Sequence, residues 1–376
     1  NIDTTTPIGM VLFSMCAAFS EMERELIRER VKAGLDAAHK KGRKGGRPRA
    51  LTPEKLETLN SLRQGNNFSV TKICKIVGIT KSGKWVLPPE NYSLEVNGDQ
   101  LPEIKEELPA TSLAELNLDI FFPVLHGTYG EDGGFQQDCE NLKKKYVGSG
   151  VTASANGMDK SNAKILFRSQ GLATANGIVA TLEVWQRSPE KILSAAEPLG
   201  FPLFVKPSSS GSSRGTSKVK NASELKRAID IAFGHDNKVL IEESVSGREI
   251  ECAILEQGNQ LLASPPGEIK VLGNHEFYDF EAKYLDGSTQ LIVPAQLSDS
   301  EALNIQSAAK TAFRALECKD LARVDFFYDE GKLIINEINT MPGFTATSMY
   351  PRMWEAGGIK YQRLITLLIE NALARY

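Results

Sequence analysis

The sequence predicts a chain of two characters: a long helix and a helix-turn-helix first, then a larger body of mixed α/β and α+β type. Three observations point there. Residues 1–83 carry 15 Lys and Arg against 8 Asp and Glu, whereas the remainder carries 29 against 39. Apolar residues recur at helical spacing through the first forty positions and nowhere else for so long. Downstream, short strand-like runs alternate with glycine- and serine-rich turns and with helices, the rhythm of α/β proteins.

The totals bound the answer further. With 376 residues, 41% hydrophobic and 24% charged, net charge −3, the chain has room for roughly two to four domains. No apolar run reaches the ~18 residues of a membrane span. "GMVLFSMCAAF" has no basic residues before it and breaks into "SEMERE", so a secretory signal is not expected. The five cysteines (Cys16, Cys74, Cys139, Cys252, Cys318) are far apart without metal spacing, which predicts free thiols and a cytoplasmic protein.

Taken in order, Leu12, Met15, Phe19, Met22 and Leu26 alternate steps of three and four and form one stripe of a helix from about residue 9 to 39. "KKGRKGGRPRA" follows, too glycine-rich for a helix, with basic side chains suited to phosphates or a groove. Thr52 caps a helix that has Pro53 at its first position. "SVTKICKIVGIT" supplies a second short helix closing at Gly78. Two short helices and a glycine turn behind a basic arm form a helix-turn-helix pattern. "IDTTTPIGMVLFSMCAAFSEMERELIRERVKAGLDAAHKKGRKGGRPR" resembles the end of a serine recombinase of the resolvase/invertase type. The resemblance implies a dimerisation helix over 1–40, a basic linker over 41–50 and a truncated helix-turn-helix over 51–82, with DNA contact through 41–82. That family's nucleophilic serine is expected upstream of Asn1, so recombination is not expected of this chain.

"KIVGITKSGKWVLPPE" (Lys75 to Glu90) has two readings. It continues the recognition helix, or it is a hairpin with Lys81-Ser82-Gly83 at the turn. Gly83 costs a helix interior roughly 1 kcal/mol, and Pro88-Pro89 stops extension. Trp85, Val86 and Leu87 favour strand. A hairpin over Ile79 to Leu87 is predicted.

The acidic part opens with "DIFFPVLHGTYGEDGG", read as a buried strand, Asp119 to Leu125, that leaves into a glycine-rich loop at His126, a common place for ligand contact. Met158-Asp159-Lys160 enter a helix ending at Gly171. "FPLFVKPSSSGSSRGTSKV" carries a strand, Phe201 to Lys206, into small residues whose N–H groups can wrap phosphate oxygens, with Lys206 beside them. It is not a P-loop, because the lysine precedes the glycines. "KVLIEESVSGREIECAIL" gives two strands around a turn, with Glu242 to Val245 at an adenine edge and Glu249 in reach of ribose. In "LARVDFFYDEGKLIINEINTMPGFT", two strands flank Asp329-Glu330-Gly331. A three-residue loop with Gly331 left-handed puts Arg323 and Asp325 on one face with Glu337 and Asn339; a two-residue loop sends them to opposite faces. Two carboxylates and an amide oxygen on one face suit Mg²⁺ holding ATP phosphates.

From about Gly78 to Tyr376, "LHGTYGEDG", "VGSGVTASANGMDK", "VKPSSSGSSRG", "YDFEAKY", "LARVDFF" and "NEINTMPGFTATSMYP" resemble the D-alanine–D-alanine ligases of the ATP-grasp superfamily. The resemblance implies a partial N-terminal parallel-sheet domain (83–150), a central subdomain (151–247) and a C-terminal catalytic subdomain (248–376). It implies D-alanyl phosphate formation from ATP and attack by a second D-alanine, in a homodimer. Lys160, Lys206 and Ser213 match nucleotide-binding positions, and Asp325, Glu337 and Asn339 match ligands for two magnesium ions. Arg323 and the Gly343 N–H match the groups that polarise the acyl carbonyl. Ser348, with Met349 beside it, matches the site of the second carboxylate. Lys283 and Tyr284 match a lid, with Tyr284 bonded to Ser212, which favours D-alanine over D-lactate. His126 matches the substrate side. Glu243 departs from the lysine or neutral residue of many relatives, implying a weaker hold on the nucleotide. The family's first strand, acidic turn and helix have no counterpart in this sequence, so good ATP binding and poor ligation are expected. The alternative is a DNA-binding remnant carrying an inert ligase fragment.

Overall fold

The computed structural model describes residues 77–80, 82–88, 107–211, 213–271, 289–345 and 348–376, all within one compact unit formed by 58–92 and 104–376. The predicted long helix and basic linker lie outside the described residues, as do Lys81, Ser212, Lys283, Tyr284 and the helix-turn-helix up to residue 76; its last positions, 77–80 and 82, are described and belong to a hairpin, not to a helix.

The ambiguous stretch is a hairpin. Strands β1 (Gly78–Ile79) and β2 (Trp85–Val86) pair antiparallel, Gly78 opposite Val86 and Ile79 opposite Trp85. The Gly83 N–H donates to the Thr80 carbonyl and the Thr80 N–H to the Lys84 carbonyl, each at 2.9 Å. Gly83 has φ 84°, a conformation that favours glycine. Trp85 then stacks on Phe135 with ring centroids 6.3 Å apart, inside a cluster with Phe121 and Tyr146.

The expected strand at Asp119 to Leu125 is mostly irregular. Phe121 alone pairs, parallel to Tyr146, and is buried under that aromatic cluster, while Val124 is half exposed. This bridge is the parallel pairing of the N-terminal part among the described residues. Helix α1 (Gly134–Asn141) covers it, and α2 (Val151–Met158) and α3 (Lys160–Ser169) lead on. The junction between α2 and α3 is Asp159, whose carboxylate caps α3 by accepting from the Ser161 and Asn162 N–H groups.

Two antiparallel sheets follow. In the first, β3 (Gly177–Thr181), β4 (Leu203–Pro207), β5 (Ser217–Val219) and β6 (Lys238–Glu243) lie in the order β3-β6-β4-β5. Alternate residues Leu203, Val205, Val239 and Ile241 are buried in a core shared with α4 (Leu182–Arg187), α5 (Pro189–Ala196) and α6 (Ala222–Phe233). In the second, β7 (Arg248–Gln257), β8 (Gln260–Ala263), β9 (Gly267–Val271), β10 (Thr289–Ile292), β11 (Leu321–Asp329) and β12 (Lys332–Asn339) run β10-β9-β7-β11-β12, with β8 also on β7. One of its cores includes α7 (Asp299–Ala315), which opens on a Ser298/Glu301 capping box. The other includes α8 (Met349–Ala356) and α9 (Tyr361–Arg375). Cys139, Cys252 and Cys318 are free and buried, as expected.

One long-range clasp closes the molecule. Arg375, at the end of α9, donates to the carbonyls of Gly148 at 3.1 Å and Tyr146 at 2.9 Å. Its guanidinium also lies 3.2 Å from the buried carboxylate of Asp320, which accepts from the Gly148 N–H at 2.7 Å and from Asn371 at 2.6 Å.

Candidate active site

The hairpin of β11 and β12 has a two-residue loop. Asp329 pairs with Lys332, and Glu330 (φ 42°) and Gly331 (φ 91°) are both left-handed, as a type I′ turn requires. That loop alone would separate the expected metal ligands onto opposite faces. A β-bulge reverses the outcome: Phe326 pairs with Ile335 but Asp325 pairs with Glu337, so Asn336 is the extra residue of β12. Arg323 pairs with Asn339. All four side chains share one face, as expected, through a bulge and not a three-residue loop.

Their electrostatics are tightly coupled. Arg323 donates both Nε and Nη2 to the two oxygens of Asp325, at 2.8 and 2.7 Å, a bidentate pair. Asn339 donates to the same carboxylate at 3.1 Å. Glu251, opposite Asp325 on β7, lies 3.2 Å from Arg323. Burial opposes the Arg323 charge, but Asp325, Glu251 and Glu337 outweigh it and raise its pKa well above the usual range. Glu249, Glu251, Asp325 and Glu337 thus stand on one face against Arg323 and the nearby Lys160. Oxygen donors of this kind suit a divalent cation such as Mg²⁺, although among the described residues no three carboxylates are gathered closely enough to hold one in this arrangement. Glu251 was not singled out from the sequence. Its signal was the alternation Glu249, Glu251 on one strand, two residues apart.

The residues expected to meet the nucleotide come from the smaller sheet and α3. Lys160, first residue of α3, donates from Nζ to the Ser210 carbonyl at 2.9 Å and lies 3.5 Å from Glu337. Its own N–H donates to the Ser208 carbonyl. The serine-rich loop is therefore pinned to α3. Asp159 completes the anchor, accepting from Ser208 Oγ at 2.7 Å and pairing with Lys238. Burial pushes the Asp159 carboxyl up, but hydrogen bonds from Lys238, Ser161, Ser208 and Asn162 outweigh it and bring it down to about 2. Asp236 holds the other side, accepting from the Ser209 N–H at 2.7 Å. Ser213 sits in the same loop at φ 57°.

Lys206, on β4, reaches the bulge: its Nζ is 3.5 Å from Asn336 Oδ1. It is 2.8 Å from Glu242. Glu242 is 1% exposed and also meets Lys164 of α3 at 2.6 Å. It therefore stands between two lysines beneath the expected adenine edge. Val245 follows β6, partly buried. Glu249 lies on β7 opposite Phe327 and Ile269. Glu243 is engaged by Asn176, whose backbone and side-chain N–H groups donate to it at 2.9 and 3.0 Å.

The residues expected on the substrate side lie in loops and at the first turn of α8. His126 is exposed, 4.0 Å from Glu131, which accepts from the Gly127 N–H at 2.5 Å. A Cβ on Gly343 would meet Ser348 Oγ at 3.1 Å, so glycine lets that loop approach Ser348. The Ser348 hydroxyl accepts from the Thr345 N–H at 3.1 Å at the start of α8. Met349 is buried in the core with Phe344 and Trp354.

Cationic side chains of one antiparallel sheet and its neighbouring helix, meeting a carboxylate ladder on a second sheet, define an ATP-grasp fold. Family comparison makes this specific. The family described as D-ala D-ala ligase C-terminus matches residues 166–370 and D-ala D-ala ligase N-terminus matches 59–149, while Resolvase, N terminal domain, matches 1–44. The D-alanine–D-alanine ligase of Pseudarthrobacter chlorophenolicus is 44% identical over 324 residues, 80% of this chain and 85% of that protein. That of Mycobacterium tuberculosis is 45% identical over 327 residues, 80% and 86%. Among solved structures, VanG D-Ala:D-Ser ligase from Enterococcus faecalis superposes with a TM-score of 0.66 at 31% identity, covering 80% of this chain and 92% of that one. D-alanine–D-alanine ligase from Bacillus anthracis, complexed with ATP, gives 0.58 at 32%, covering 69% and 80%. The chain belongs to the D-alanine–D-alanine ligase family.

Proposed function

We propose that the chain joins two D-alanine molecules at the expense of ATP, a step of peptidoglycan precursor synthesis. The observation that carries this is the shared face of Arg323, Asp325, Glu337 and Asn339, with Lys160 3.5 Å from Glu337. Asp325, Glu337 and Asn339 would hold Mg²⁺, two ions in this reading, and the metal would supply positive charge against the nucleotide phosphates. Lys160, Lys206 and the loop around Ser213 hold the phosphates, with Glu242, Val245 and Glu249 along the nucleoside. The first D-alanine carboxylate attacks the γ-phosphorus and ADP leaves. The amine of the second then attacks the acyl carbon and phosphate leaves. Arg323, a fixed cation, and the Gly343 N–H face the developing oxyanion. Ser348, beside Met349, receives the second carboxylate, and His126 borders the first substrate. Lys283 and Tyr284, with Ser212, form the lid that favours an amine nucleophile. The enzyme works as a homodimer.

The test is incubation with ATP, Mg²⁺ and D-alanine, with ADP and dipeptide quantified separately. Equal amounts of both are expected, and D-lactate should give less ester than D-alanine gives dipeptide. ATP turnover without dipeptide, or faster ester formation, overturns the substrate assignment. A second reading concerns residues 41–82. Their basic run and the resolvase-like residues before them favour contact with DNA phosphates. Retention on duplex DNA that weakens steeply with salt is expected; none at low salt sinks it.

A further inference from the structure

Between the nucleotide lysine and the core lies a buried group of three charges. Glu242 places one oxygen 2.8 Å from Lys206 and the other 2.6 Å from Lys164. The side chains of Lys164 and Glu242 are 3% and 2% exposed, whereas Lys206 keeps 14%. Only Lys206 of the three opens toward the site, and it also reaches Asn336 on the bulge. Lys164 is shut away from any ligand.

We propose that Lys164 is a positioning residue that leaves Lys206 available to the nucleotide. This rests on the reading of the site as an ATP site. Two lysines and one glutamate carry a net charge of +1. Because Lys164 occupies one Glu242 oxygen, Lys206 shares only the other, and its charge is not fully consumed by the pair. Without Lys164, Glu242 and Lys206 form a neutral, closed pair that turns the ammonium away from the nucleotide. Removing the second cation also leaves a buried carboxylate with one partner where it had two.

The titration directions agree with this division. Burial opposes the charge on Lys206, but Glu242, then Glu337 and Glu249, outweigh it and raise its pKa. Burial lowers that of Lys164, with Glu242 acting against the shift and Lys206 and Arg168 adding to it. The cost of the arrangement falls on the residue that touches no ligand. The chain geometry supports the same role. Lys160 and Lys164 are one helical turn apart on α3. The first pins the serine-rich loop directly through Ser210, and the second acts on the base of the site through Glu242. One helix thus sets both ends of the nucleotide cradle.

The experiment compares Lys164→Gln, which keeps a hydrogen bond to Glu242 without charge, with Lys164→Arg, which keeps the charge. Steady-state kinetics give KM for ATP and for D-alanine, and titration with Mg·ADP gives nucleotide affinity without ligation. Lys164→Gln is expected to raise KM for ATP and weaken Mg·ADP by at least tenfold, with KM for D-alanine within about twofold. Lys164→Arg is expected to stay within about threefold of the parent. A purely structural role would lower the folded fraction, cutting the maximal rate while both KM values hold. That pattern, or unchanged Mg·ADP affinity in folded Lys164→Gln, overturns the proposal, as does equal loss in both variants. If Lys164→Gln does not fold, Lys164→Met assayed at low temperature by the same titration decides. A parent chain that binds Mg·ADP and turns over ATP with another acceptor but not with D-alanine would refute the D-alanine assignment while leaving this inference standing. A parent that binds no nucleotide refutes both.

Discussion

Asp159→Asn tests how the serine-rich loop is anchored. The Asp159 carboxylate is 14% exposed and accepts from Ser208 Oγ, Ser161 Oγ and two backbone N–H groups, besides pairing with Lys238. Asparagine caps a helix as well as aspartate does, so the substitution keeps the cap and removes the charge together with the oxygen that accepts from Lys238. The carboxyl falls from 3.8 to about 2 on folding, which corresponds to about 2 kcal/mol of stability at neutral pH. The folded pKa is depressed, so this contribution is complete above the unfolded value near 4. It is lost as pH falls through about 2, and about half remains near pH 3. Urea denaturation of the two proteins from pH 7 to pH 3 should show a gap of about 2 kcal/mol, constant to about pH 5 and then shrinking. Because Ser208 leads the serine-rich loop, KM for ATP should rise as well. A gap that stays flat to pH 3 would show that the carboxylate contributes no charge-dependent stability.

Glu337→Gln should cut ATP-dependent turnover by at least a hundredfold while the melting temperature moves only slightly. Equal loss of both would assign Glu337 to structure. Glu242→Ala leaves two buried ammoniums facing each other and should cost about 3–5 kcal/mol in urea denaturation; a loss under about 1 kcal/mol would show that water already screens them. Deleting Asn336 removes the bulge but leaves Glu337 opposite Asp325 in a regular ladder, so the shared face is kept and turnover should survive, reduced only by loss of the Asn336 contact to Lys206. Abolished turnover in a folded deletion protein would mean that the bulge itself, and not the face it selects, shapes the site.

How far the sequence is legible depends on the kind of signal. The hairpin at Gly78–Val86 could be read because Gly83 and Pro88 act locally and Trp85 wants a pleated surface. The common face of Asp325 and Glu337 was reached by the right constraint and the wrong device. Loop length fixes register only when both strands are regular, and Asn336 breaks that condition. The doubled polar pair Asn336-Glu337 after Ile334-Ile335, where strict alternation fails, was the available sign. Asp119–Leu125 looked like a buried strand because hydrophobicity does not distinguish pairing from packing. Only Phe121 acquires a partner strand, and the rest is irregular chain. Lys164 was invisible in principle: a lysine on a helix is ordinarily solvated, and only tertiary packing brings Glu242 against it. The recombinase-like expectations fall outside the described residues except at 77–80 and 82, where the end of the expected helix-turn-helix is hairpin.

The Arg375 clasp bears on how the protein is made. Gly148 and Arg375 are 227 positions apart, and the carbonyls of Tyr146 and Gly148 accept from that single guanidinium. At roughly 5–20 residues per second of synthesis, the loop that leads into α2 waits on the order of ten to forty seconds before its partner is made. Asp320, buried with the same arginine, waits through the fifty-five or so additions that separate the two. Until Arg375 is made, the front of the ligase unit lacks this fastening. An Arg375→Ala chain should keep that open, protease-sensitive state after release, with cleavage concentrated near residues 146–150; wild-type resistance there would show that the front closes without its latest-made contact.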